Sequence, residues 1–427
     1  NGGELSILKS QGAVLQSHIL NERVVTTVGW RRDSRYSRNK NPLRLRSDGV
    51  TFDPSSDEWE TGDWQMGRGN TKTLGIVVKP LRWLSLHANR SNSFKPANPA
   101  QNVYREYLAD PTGEGTDYGV RLSALDGKLS ILVNRYQIRE DKRNGTQAPL
   151  NRLIGHEYTW RLAEGALPSA WNLAYNAEKW VQAQASGQNL SAAERDSRVA
   201  AIMKVPVEFL AEPSTGRIAM EDQDIAKGIE VEINYNPTPF WTAKMNVTEQ
   251  KAIGATVAES FVRYIEERMA VWPTIIDPTT GRPWYTERYN NGQSFWDRVQ
   301  SGVLAPLGIA RAQEGKSLPQ VRKYRVNFMT RYRLAGITDH RVLKHLNIGG
   351  SLRWEDRGAI GYLGVEELPA IVTQLDPNRP IYDRAHYYLD AFATYRTRFF
   401  SDKIPVTFQL NIRNLNESGR LQPIAAD

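Results

Sequence analysis

The chain has 427 residues, a formal net charge of +8, 40% hydrophobic residues and a mean hydropathy of −0.53. No apolar run approaches the roughly 18 residues of a spanning helix, which excludes an ordinary transmembrane helix but not a transmembrane barrel, whose strands bury only alternate residues. Cysteine is absent, which excludes disulfides and thiolate metal sites, and acidic residues nearly balance Lys and Arg, so no basic tail points to nucleic acid.

Residue 1 is Asn, with no basic or apolar leader behind it, so no signal peptide is visible. Gly12 to Leu20 and Val24 to Arg32 then alternate as a first hairpin, followed by a polar connection, Asp33 to Asn70, of about forty residues. Thr71 to Lys79 and Trp83 to Ser91 predict a second hairpin turning at Pro80-Leu81-Arg82. A third, Asp117 to Leu125 and Leu129 to Ile138, turns at Asp126-Gly127. The connection after it carries helical spacing at Ala170 to Ala185 and Ser191 to Lys204.

The clearest alternation is in the fourth hairpin, Ile229 to Val247. Ile229, Val231, Ile233 and Tyr235 share one face against Glu230, Glu232 and Asn234, and Trp241, Ala243, Met245 and Val247 oppose Thr242, Lys244 and Asn246. Helical spacing returns in the next long connection, at Ala258 to Met269 and Phe295 to Ala312. Tyr324 to Leu334 with Leu346 to Glu355 form the fifth pair; after a loop of about thirty residues, Tyr387 to Arg396 with Val406 to Asn414 form the last.

About twelve strands result, and short connections alternate with long ones. In an up-and-down meander this sorts bare turns to one end and a crown of long loops to the other, as in outer-membrane barrels; a soluble sandwich has no physical reason to do so. One face of the strands carries Arg121, Glu230, Glu232, Lys244, Arg325, Arg331, Arg333, Arg353, Glu355, Asp390 and Arg396. Inside a dry core these charges would cost several kcal/mol each, so a wide aqueous lumen is expected on that side and lipid on the other. Trp30, Trp83, Trp241, Tyr324, Trp354 and Tyr387 stand near strand ends, where membrane girdles place aromatics.

Several segments resemble those of TonB-dependent outer-membrane receptors: Gly29-Trp30-Arg31-Arg32-Asp33, Asn89 to Pro96, Tyr118-Gly119-Val120-Arg121 with Asp126-Gly127-Lys128-Leu129, and Leu410 to Leu415. The resemblance implies an all-β fold, an antiparallel meander forming part of a 22-stranded transmembrane barrel, with short helices in its long loops. It implies residues 1–427 as a partial barrel domain, with the N-terminal plug and the usual final strand absent. About twelve strands cannot close at the diameter of 22, so a strongly curved open sheet with two free edges is expected.

The function so implied is active import of a scarce nutrient (siderophore, vitamin or oligosaccharide) across a Gram-negative outer membrane, energised by TonB through the plug. Expected partners are outer-membrane lipid, lipopolysaccharide and the small-molecule or oligosaccharide ligand, with no nucleic acid, cofactor or covalent chemistry. A passive porin-type channel and a soluble all-β carbohydrate-binding protein are the alternatives.

Nucleotide-binding, zinc-protease and hydrolase motifs are absent from the sequence. Asp53, Asp57, Glu58, Glu60 and Asp63 crowd one loop, and His340 and His345 flank a turn; a solvated surface is the favoured reading of both. For ligand stacking the loop aromatics Trp59, Trp64, Trp272, Trp284, Tyr285 and Trp296 are the candidates.

Overall fold

The computed structural model describes residues 4–39, 44, 46–47, 51–56, 59, 64–97, 99–144, 148–158, 171–185, 189–213, 218–288, 292–312, 314–317, 321–367, 371–401, 403–416 and 419. Its strands are β1 (Glu4–Ile19), β2 (Val24–Asn39), β3 (Gln65–Leu81), β4 (Leu84–Phe94), β5 (Thr112–Ala124), β6 (Leu129–Asn144), β7 (Met220–Thr238), β8 (Trp241–Val257), β9 (Tyr324–Arg333), β10 (Leu346–Glu355), β11 (Ala359–Glu367), β12 (Ile371–Tyr382), β13 (His386–Phe399) and β14 (Ile404–Ile412). Twelve of them form one antiparallel meander in the order β1-β2-β3-β4-β5-β6-β7-β8-β9-β10-β13-β14. Among the described residues no pairing joins β1 to β14, so the sheet is open and has two edges.

Several strands run well past the alternating segments legible in the sequence. At its loop end β2 continues through Arg31, Arg32, Asp33, Ser34 and Arg35, all paired with β1 and β3. Both faces are polar there, so backbone pairing persists where the period-two apolar signal stops. With 19 residues, β7 is about 60 Å long, far beyond the roughly 9–11 residues that cross a bilayer.

Two expectations are corrected. The stretch between Glu355 and His386, expected to be loop, contains the separate hairpin β11–β12, whose register shifts at three places and so shows no clean alternation. Phe295 to Ala312 is not one helix. It divides into α5 (Phe295–Val299), a π-helical turn over Gln300–Leu304 and α6 (Ala305–Ala312). Pro306 supplies no N–H and its ring crowds the carbonyl four residues earlier, which accounts for the wider turn just before it.

The remaining helices are α1 (Ala148–Glu157), α2 (Leu173–Gln184), α3 (Ala192–Met203) and α4 (Glu259–Val271). The first runs unbroken through Gly155, a poor helix former, and has no clear sequence signal. Ser191 begins α3 with a capping box, its side chain accepting from the Glu194 N–H while Glu194 accepts from the Ser191 N–H. Among the described residues these six α-helices lie in the connections between β6 and β7 and between β8 and β9.

Among the described residues most of the buried core is in these helices, with little of it in the sheet. One cluster joins Leu150, Leu153 and Ile154 of α1, Leu173 and Val181 of α2, Met203 of α3, Phe261 and Ile265 of α4, and Trp272, Phe295 and Val303 beyond. Met220 at the loop end of β7 belongs to it, so this helical cap is rooted on the wall.

Candidate functional site: a polar wall face beneath a helical cap

Strand register determines which side chains share a face. Across the sheet Ile19, Val24, Val78, Leu86, Val120, Val133, Val231, Val247, Val326, Trp354 and Tyr387 are successive cross-strand partners. Two residues nearer the turns, the row Leu84, Leu122, Ile131, Ile233, Met245, Phe328, Leu352 and Leu389 repeats the composition. This apolar belt is open to its surroundings: Leu74 is 61% exposed and Leu410 60%. In β3 and β4 the apolar-face residues are more exposed than their neighbours on the polar face. Contiguous apolar surface of this extent marks contact with protein or membrane, not water.

The opposite face carries the row Asn134, Glu230, Thr248, Arg325, Glu355 and His386, and beside it Leu132, Glu232, Asn246, Asn327, Arg353 and Tyr388. Arg121, Lys244, Arg331, Arg333, Asp390 and Arg396 fall on this face too. Several charges here are matched locally. Arg325 lies 4.0 Å from Glu355, and Arg353 stacks on the Tyr388 ring at 4.4 Å. Asp390 accepts from the Ser351 hydroxyl at 3.1 Å and from the Asn414 N–H at 2.9 Å. A trough of about 580 Å³ crosses this face from β1 to β6, lined by Gln16, Thr27, His87, Asn89 and Arg121. His87 and Asn134 hydrogen-bond at 3.0 Å across Gly119, where a Cβ would collide with the Val133 carbonyl and the His87 ring.

The six strand-end aromatics sit at two levels. Trp83 and Trp241 adjoin the short turns; Trp30, Tyr324, Trp354 and Tyr387 lie toward the long loops. Trp241 packs edge-on against Tyr235 at 5.9 Å and donates its indole N–H to Thr330 at 3.0 Å. Glu249, the partner of Tyr324, is eight residue steps along β8 from Trp241. That is about 27 Å of strand, or somewhat less in height once tilted, on the scale of the ~25 Å apolar band of outer-membrane barrels.

The helical cap holds a buried polar network that the sequence reading missed. Glu157, with a side chain 0% exposed, accepts from Arg268 Nε at 2.6 Å, the Trp272 indole N–H at 3.1 Å and the Tyr264 hydroxyl at 3.0 Å. Arg268 also donates to the Met203 carbonyl at 3.0 Å, and the Tyr158 and Tyr264 hydroxyls meet at 2.6 Å. Burial, reinforced by the Glu157 charge, pushes both tyrosines well above the usual phenol range. This network ties α1, α3 and α4 together. A second network holds β11–β12 to the wall: Asp383 pairs with Arg322 and accepts from His386 Nε2 at 3.0 Å and the Gly358 N–H at 2.6 Å.

The loop aromatics separate into two kinds. Trp272 and Trp284 are 0% and 4% exposed inside the cap core, so neither offers a ring face to a ligand, and the expectation for both is corrected. Each lies among apolar partners that are remote in sequence, Trp272 meeting the Phe295 ring at 5.1 Å. Tyr285 and Trp296 pair edge-to-face at 5.9 Å and keep part of their surface. Trp59 is 38% exposed, and Trp64 is half-buried beneath the Arg38 guanidinium at 5.0 Å. Of the acidic group, Asp57, Glu58, Glu60 and Asp63 lie outside the described residues. Among the described residues no three His, Asp or Glu converge as a metal site.

No protein-family model matches the chain. Among curated proteins, it is 26% identical over 126 residues to the metal-pseudopaline receptor CntO of Pseudomonas aeruginosa PAO1, covering 28% of this chain and 16% of the receptor. Among solved structures it aligns with BauA, the ferric preacinetobactin receptor of Acinetobacter baumannii, at a TM-score of 0.50 and 12% identity over 98% of this chain and 40% of that one. It aligns with the ferric-catecholate import receptor Fiu of Escherichia coli at a TM-score of 0.48 and 11% identity over 98% of this chain and 41% of that one. The likeness to BauA establishes the fold alone: this chain folds as part of that receptor does. The chain spans about two fifths of the solved receptors' length and 16% of the curated relative's.

Proposed function

We propose that this chain is barrel wall and loop crown of an outer-membrane receptor that actively imports a small metal chelate of the siderophore type. The observation that carries the proposal is the inverted sidedness of the sheet: an exposed apolar belt on one face and matched charges on the other. Such a wall suits lipid outside and water within. Residues 1–427 act as a partial barrel domain in a wall of more strands, and TonB energy reaches the receptor through a plug. The named relatives support the substrate class, since CntO and BauA are receptors for metal-pseudopaline and ferric preacinetobactin. Trp59, Trp64 and the Tyr285–Trp296 pair are the ligand-stacking candidates that retain accessible ring surface. The receptor binds and passes its ligand without covalent chemistry.

The test is uptake of a radiolabelled ferric chelate by cells making the full-length protein. Uptake abolished by an uncoupler and by loss of TonB is expected. Uptake persisting without either identifies a passive porin-type channel and overturns the proposal.

A further inference from the structure

One pocket lies on the apolar-belt side of the sheet, not on the polar side. It encloses about 760 Å³ on the loop side of the belt, and six cations line it: Arg135, Lys227, Lys251, Lys316, Lys323 and Arg357. Only Glu249 and Asp356 oppose them among its lining residues. Lys323 uses part of its charge on Glu249 at 3.6 Å, and Arg357 stacks on the Tyr382 ring at 4.5 Å.

Two features give this cluster a direction. Lys227 and Lys251 are direct cross-strand partners on β7 and β8. Like charges placed opposite each other on a sheet are destabilising, so the pair stands ready for an anion. The pocket is also continuous with the belt. Ile229 is part of its lining, and Val231 and Val247 of the belt lie two residues further along the same strand faces. Lys227 is therefore four residues, about 13 Å, from the Val231 row, roughly the distance from acyl chains to headgroup. Farther along the same margin a smaller pocket is lined by Lys9, Arg32 and Arg68, again on the apolar-belt side.

We propose that this pocket binds the phosphorylated headgroup of an outer-leaflet lipid, with Arg135, Lys227 and Lys251 gripping phosphate while the acyl chains lie on the belt. Phosphate beside a cross-strand lysine pair relieves its repulsion, and the shared desolvated surface strengthens the contact. A soluble anion would gain nothing from the adjoining belt. The inference rests on the outer-membrane reading given above.

The experiment uses the full-length protein extracted from outer membranes and native mass spectrometry with bis-phosphorylated lipid A as the probe. The double variant Lys227→Gln/Lys251→Gln is expected to lower lipid retention by roughly tenfold or more, as loss of about 1 kcal/mol per cation implies. It is also expected to raise the unfolding temperature of delipidated protein, because it removes a like-charge pair. A merely structural role would move retention and stability in the same direction. Lys128→Gln, in the turn at the opposite end of the sheet, is the control. Lipid retention unchanged in the double variant, or equal binding of dephosphorylated lipid, overturns the inference, and competition by millimolar inorganic phosphate reassigns the pocket to a free anion. Recovery of the protein as a detergent-free soluble monomer sinks the outer-membrane reading itself, a different result from a membrane protein that binds lipid without these lysines.

Discussion

Glu157 shows how much one residue can hold in this molecule. Three donors converge on a carboxylate with no exposed surface, and its partner Arg268 is 6% exposed. Replacing a buried ion pair by apolar residues of similar shape is often harmless, but removing one partner leaves the other charged and unpaired. Glu157→Gln is therefore expected to destabilise the helical cap by about 3–5 kcal/mol. Hydrogen exchange should accelerate across α1, the end of α3 and α4 and stay unchanged in β3 to β5. Uniform exchange across the whole chain would show that the network is not a local clamp. Small residues matter in the wall as well. At Gly349 a Cβ would meet the Thr330 carbonyl and the Phe392 ring, so glycine leaves the room that ring occupies.

At the scale of elements, α1 carries the pH response of the cap. His156 is held down to about 4, first by burial and then by the positive charges of Arg298 and Arg152. The unfolded ring takes its proton near pH 6.5, while the folded one stays neutral to about pH 4. Folding of the cap therefore loses nothing above pH 6.5, weakens as the pH falls below it, and reaches its full loss near pH 4. The loss is on the order of 2 kcal/mol after allowance for the ring's partial exposure. Hydrogen exchange of α1 at pH 7 and pH 4.5 measures it, and His156→Gln should flatten the difference. If the variant keeps the same pH dependence, another group is responsible. The hairpin β11–β12 is fixed differently, through the Asp383–Arg322 pair at its base, which links it to the approach to β9.

For the whole molecule the decisive quantity is sidedness. Leu352 and Arg353 are neighbours on β10, one in the belt row and one in the polar row. If the belt meets hydrocarbon, Leu352→Arg should cost about 2–4 kcal/mol and reduce the heat-resistant folded form on gels. Arg353→Leu should leave that form intact, since the opposite face tolerates either kind of side chain beside water. Equal damage from both would contradict a one-sided membrane contact.

Sidedness was also what the sequence by itself could determine. A strand's side chains alternate with a period of two, so a run such as Ile229 to Tyr235 declares its two faces without reference to any neighbour. Short turns such as Asp126-Gly127 declare themselves in the same local way, and the order of strands then follows from a meander's connectivity. The loop ends of the strands, the shifted hairpin β11–β12 and the π-helical turn before Pro306 were hidden because their signals are not periodic. The cap core was beyond reach for a stronger reason. Glu157 meets Arg268 across 111 residues, and Trp272 is buried by partners from several connections, so no window of sequence contains the contact. The same holds for the cationic pocket, where strands and loops from Arg135 to Tyr382 meet in space only after the wall is assembled.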